Sequence, residues 1–159
     1  MRIRQVRHYV LRDYRPQASQ QDTEELSGRD NREAFHNAIA FVSLLPHPDG
    51  RLYCGITCAD TDILHRFDPE SKTFESLHYD EIAEPFEVKI HRSLELASDG
   101  TIYGASAGLL QPDTRMQAPG GALFKLAPGA SRPEKLAIPV THDYIQTISL
   151  DEQHGLIYG

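Results

Sequence analysis

The chain has 159 residues, 40% hydrophobic and 25% charged, with 16 Lys/Arg set against 23 Asp/Glu. That length carries one ordinary domain with its own core, and the apolar share excludes wholesale disorder. There is no apolar run of about 18 residues for a membrane span and no apolar stretch after Met1-Arg2-Ile3-Arg4 for a secretory signal. A net charge of −7 argues against a general nucleic-acid binder. The expectation is a cytoplasmic protein without membrane or nucleic-acid partners.

Residues 2–11, with Ile3, Val6, Tyr9, Val10 and Leu11, read as a short strand before a polar linker over 15–34. Arg2, Arg4, Arg7, Arg12 and Arg15 stand against Asp13 alone, a local balance of +4 that leaves −11 on the rest. Such a basic strand can dock on the acidic body, touch an anionic partner, or guard an edge against aggregation. Residues 1–36 are set apart on this basis.

An internal repeat follows. Asp49-Gly50-Arg51-Leu52-Tyr53-Cys54-Gly55 returns 50 residues later as Asp99-Gly100-Thr101-Ile102-Tyr103-Gly104-Ala105, and again as His154-Gly155-Leu156-Ile157-Tyr158-Gly159. Apolar runs over Ala38–Leu45, Ser93–Ala97 and Tyr144–Leu150 precede the three copies, so each reads as a β-hairpin whose glycine supplies the turn. Leu64-His65-Arg66-Phe67-Asp68-Pro69 then aligns with Leu123-Phe124-Lys125-Leu126-Ala127-Pro128, and Leu77 with Leu136, at an offset of 59. The nine extra residues fall in a Pro/Gly-rich inserted loop over 109–121. The second strands, Leu52–Cys58 and Ile102–Leu110, carry no charge on either face, as strands pressed between neighbouring sheets should.

Four short strands recurring at about 50 residues have the spacing of β-propeller blades. The expected fold class is all-β, a partial β-propeller of four-stranded antiparallel blades: 37–79, 80–141, and the start of a third over 142–159. Propellers close with about four to eight blades, so the expectation is a fragment of a longer protein. The alternative is several chains assembling to close a ring, with the strand at 2–11 completing the last blade.

With Phe67-Asp68-Pro69 and Thr73-Phe74 at the third-to-fourth-strand hairpin, residues 37–159 resemble the propeller group of virginiamycin B lyase, gluconolactonase-like proteins and oligogalacturonate-type lyases. In that group first strands line the central channel. The resemblance therefore directs attention to His36, His91 and His142, which lie 14, 9 and 13 residues before their turn glycines. Three converging imidazoles could hold a divalent metal, manganese or calcium, and oligogalacturonate-type lyases are similar in placing a histidine-ligated metal there. The plainer alternative is that each histidine caps a strand or bonds a neighbouring loop.

β-Elimination from a uronic acid needs a neutralised carboxylate and a base near neutral pKa. His91 or His142 is the candidate base, Arg92 the carboxylate partner and Tyr144 an auxiliary acid. His36, Asn37, Asp143 and Arg115 are candidate ligand contacts, with the 109–120 loop as a lid. The leading expectation is a propeller binding a small molecule or saccharide at its channel, with lyase-type catalysis an extension of that reading. Its rival is a non-catalytic interaction platform or accessory domain.

Gly104-Ala105-Ser106-Ala107-Gly108 matches the nucleophile-elbow pattern but lies within a second strand, not at a strand-to-helix turn. Cys54 and Cys58, about 13 Å apart along one strand, read as reduced core residues. His47 and His154 sit by hairpin turns and read as solvated; His8, His65 and His78 read as surface residues.

Overall fold

The computed structural model describes residues 39–58, 61–84, 87–108 and 115–159. The expected strand at 2–11, the linker, His36, Asn37 and residues 109–114 of the inserted loop lie outside these residues.

The described chain is all-β and antiparallel. Strands β1 (Ala40–Pro46), β2 (Leu52–Thr57), β3 (Leu64–Asp68) and β4 (Thr73–Ser76) form an up-and-down meander. A 3-10 turn, Tyr79–Glu81, leads to β5 (Glu87–Lys89). The second meander comprises β6 (Leu94–Leu96), β7 (Ile102–Ala105), β9 (Leu123–Leu126) and β10 (Glu134–Ala137). The short β8 (Ala107–Gly108) intervenes, and a two-stranded ribbon of β11 (Ser149–Asp151) and β12 (Leu156–Tyr158) ends the chain.

The repeated turns have a common physical basis. Gly50, Gly100 and Gly155 all have positive φ, at 85°, 86° and 66°, where a side chain is strained. In the first two copies the preceding aspartate tightens the turn: Asp49 Oδ1 accepts the Arg51 amide at 2.9 Å, and Asp99 Oδ1 the Thr101 amide at 2.8 Å.

The second strand of the second copy ends sooner than its uncharged sequence implies. At Ser106 the chain leaves β7, and Ala107–Gly108 pairs instead with β5. β5 in turn meets β2 through Thr57 and Lys89, so the segment joining the two meanders is stitched to both.

Between the meanders lies one core that includes Tyr53, Ile56, Leu64, Leu77, Tyr79, Ile90, Ile102, Phe124 and Leu126. Tyr79 and Phe124 meet edge to face at 5.1 Å. Complete burial of a side chain such as Phe124 contributes about 1.5–3 kcal/mol. The Phe124 ring fills the space above Gly104, where a Cβ would collide with it. The sheets do not close on one another, and Leu136 on β10 and Leu156 and Tyr158 on β12 remain exposed.

Candidate functional site

Successive repeats bring their first-strand starts together at one seam. The Ile90 amide donates to the Ile56 carbonyl at 3.0 Å, and the Ile145 amide to the Ser106 carbonyl at 3.4 Å. Ile56 and Ser106 are equivalent in the repeat, so Ile90 and Ile145 are too. The residue after each is therefore His91 in one copy and Gln146 in the other. His142 lies three positions before Ile145 and is not the counterpart of His91. The spacing to the turn glycine agrees: His91 lies nine residues before Gly100 and Gln146 nine before Gly155, whereas His142 lies thirteen before it.

His91, half-buried, places Nδ1 3.2 Å from the Gln146 carbonyl oxygen. A carbonyl only accepts, so Nδ1 carries the proton and Nε2 keeps its lone pair. The Gln146 side-chain amide donates to the Tyr144 hydroxyl at 3.2 Å. Arg92 forms a parallel bridge with Thr147, is exposed, and pairs with no carboxylate among the described residues. His91, Arg92 and Tyr144, singled out separately in the sequence, thus belong to one seam, and Gln146 is the member that sequence reasoning missed.

His142 has a different task. Its φ of 61° is that of a turn residue, its amide donates to the Pro119 carbonyl at 3.0 Å, and its Nδ1 donates to the Ala118 carbonyl at 2.8 Å. It bonds a neighbouring loop, as the plainer sequence alternative holds. The Asp143 carboxylate accepts the Tyr144 amide at 2.8 Å while its carbonyl accepts the Gly121 amide. Arg115 opens a 3-10 turn, Arg115–Gln117.

Among the described residues no three His, Cys, Asp or Glu side chains are grouped to hold an ion. His91 and His142 each spend Nδ1 on a different backbone carbonyl, and His36 lies outside the described residues.

A cavity of about 290 Å³, lined by Cys58, Thr61, Asp62, Ile63, Asp80, Ala83 and Glu87, lies where the first meander passes into β5. No motif marked these residues. Two carboxylates in its wall are already engaged. Asp62 accepts the Ser76 hydroxyl at 2.7 Å and the amides of Leu77, Asp80 and Leu64 at 3.1, 3.3 and 3.4 Å. The Glu87 side chain, 2% exposed, accepts the Glu84 amide and the Ser106 hydroxyl at 2.7 Å each and the Tyr79 hydroxyl at 3.3 Å. Burial, reinforced by that carboxylate, pushes the Tyr79 phenol far above its ordinary range.

Ser106 is fully buried; besides donating to Glu87 it accepts the Ala122 amide at 2.8 Å. It joins two sheets and is no nucleophile. Both cysteines are free and buried. Two histidines read as surface residues are not: the His47 side chain is 8% exposed, with Nε2 donating to the Gly100 carbonyl at 3.1 Å, and His65 is 6% exposed. His78 and His154 are exposed.

No helix among the described residues is long and apolar enough to cross a membrane. No family model matches the chain, and no curated protein or solved structure matches it significantly.

Proposed function

We propose that the meanders are consecutive blades of a β-propeller and that the chain binds a small carboxylated, hydroxyl-rich ligand, such as a sugar acid, at the seam between its second and third first strands. The carrying observation is the bond from His91 Nδ1 to the Gln146 carbonyl, which spans two repeats and holds the imidazole with Nε2 as acceptor. Beside it stand the exposed Arg92, suited to a carboxylate, and Tyr144, whose ring and hydroxyl suit a sugar face and edge. The face-to-face packing of the first two meanders and the parallel bridge between Arg92 and Thr147 support the blade arrangement.

The same groups supply what proton abstraction next to a carboxylate requires: the Arg92 guanidinium to neutralise the carboxylate, and the Nε2 lone pair to take the proton. The test is calorimetric titration with uronic-acid oligosaccharides, with the same mixtures followed for the ultraviolet absorbance of an unsaturated product. Binding that weakens about tenfold or more in Arg92→Ala and in His91→Ala supports the reading. Equal binding by the wild type and both variants, or none by the wild type, rejects it.

A non-catalytic interaction platform is favoured by a different observation, the exposure of Leu156 and Tyr158 on the outward face of the last ribbon, at 47% and 56%. On that reading Tyr158→Lys abolishes an association visible by light scattering and leaves oligosaccharide binding unchanged.

A further inference from the structure

His65 occupies in β3 the place that Phe124 occupies in β9, 59 residues later. Phe124 is fully buried, as befits the aromatic core; His65 is buried almost as completely, yet its Nδ1 has no hydrogen-bond partner. A buried polar atom without a partner costs free energy that Phe at the same place would not.

Directly across from His65 stand Cys54 on β2 and Ser76 on β4, on the same face of the sheet. Burial pushes the Cys54 thiol up to about 12, so it stays neutral. The Ser76 hydroxyl is tied to Asp62 Oδ2 at 2.7 Å. Arg66 and Glu75 pair with each other and, as the next residue along each strand, belong to the opposite face. Asp62 is therefore the charged partner on this side among the described residues. Its carboxylate is also the hub that holds Leu77 and Asp80, and with them the corner leading out of β4.

We propose that His65 is an acid-sensing latch: protonation gives its imidazole a charge that draws the Asp62 carboxylate towards it and releases the corner from His78 to Ile82. The corner contributes Asp80, and Ala83 follows it, in the wall of the 290 Å³ cavity, so release opens that cavity. In the closed form burial holds the imidazole below its ordinary value near 6.5, opposed in part by the Asp62 charge. The open form therefore binds the proton more readily. The latch is secure above about pH 6.5 and weakens as pH falls below it.

Hydrogen exchange on the full chain, expressed as protection factors across pH 7.5 to 5, tests the latch. One proton taken up on opening lowers the protection of the Asp80 amide by up to about tenfold per pH unit below about 6.5, while the Leu77 amide, which also donates to the Leu64 carbonyl at 3.0 Å, stays protected. The Phe124 amide keeps its protection. His65→Phe, which installs the residue of the second repeat, and His65→Gln, which keeps a polar side chain that does not titrate, each flatten the dependence. Should Phe fail to fold, Gln serves alone. Unchanged wild-type protection down to pH 5, or an equal fall in a folded variant, overturns the proposal.

Discussion

The Ser106 hydroxyl donates to Glu87 Oε1 at 2.7 Å, joining the segment after β7 to the strand that leaves the first meander. Removing one side of such a contact leaves a buried polar group unpaired, which costs more than the bond itself contributes. Ser106→Ala is expected to lower stability by about 1–3 kcal/mol, since the Ala122 amide loses its acceptor as well. Glu87→Ala strands the Ser106 and Tyr79 hydroxyls and the Glu84 amide together, and about 3–5 kcal/mol is expected. Urea denaturation of the two variants checks the order; a larger loss for Ser106→Ala contradicts it.

Gly104 is required by its neighbour, not by its own backbone. A Cβ there runs into the Phe124 ring, so Gly104→Ala should destabilise the chain by about 1–3 kcal/mol. Pairing it with Phe124→Leu should recover part of the loss, giving a coupling of about 0.5 kcal/mol or more in a double-mutant cycle. Strict additivity of the two changes counts against the contact.

The neutral imidazole at the seam is expected to be a single tautomer. Nitrogen NMR should find His91 protonated at Nδ1 and not at Nε2, because a carbonyl faces Nδ1. That carbonyl belongs to the main chain, so Gln146→Ala should leave the tautomer intact while freeing the Tyr144 hydroxyl from the amide. Detection of the Nε2–H form as the major species rules the arrangement out.

Acid should loosen the hairpin turns in a defined window. Burial raises Asp49, but the Arg51 amide, His47 and the Tyr53 hydroxyl outweigh it and hold the carboxyl below its usual range. The Thr101 amide and hydroxyl hold Asp99 low in the same way. A carboxyl depressed on folding adds stability that is present above its unfolded pKa, near 3.9, and is lost as pH falls through the folded value. Asp49→Asn together with Asp99→Asn should therefore flatten the decline in stability below about pH 4, measured by thermal unfolding at fixed ionic strength. An unchanged slope speaks against these two turns as its source.

Much of the strand framework is legible in the chain because its causes are local. An Asp-Gly or His-Gly pair between apolar runs specifies a turn from a few neighbouring residues, and Gly50, Gly100 and Gly155 all adopt the required positive φ. The candidate seam was legible only in part. His91, Arg92 and Tyr144 stand out by residue type, whereas Gln146 was passed over for His142 although it matches His91 in its nine-residue distance to the turn glycine, a match that the Ile90 and Ile145 amides bear out.

By itself the sequence determined an all-β chain of repeated hairpins, since turn angles and alternation are properties of short segments. Only the tertiary structure decided which polar residues are buried. His47 and His65 carry no mark distinguishing them from exposed His78, yet the packing of distant strands encloses both. Glu87 and Ser106 lie 19 residues apart, and Asp62 gathers donors as far along the chain as Asp80. Burial and partner choice are set by which segments meet in space, and no local pattern encodes that meeting.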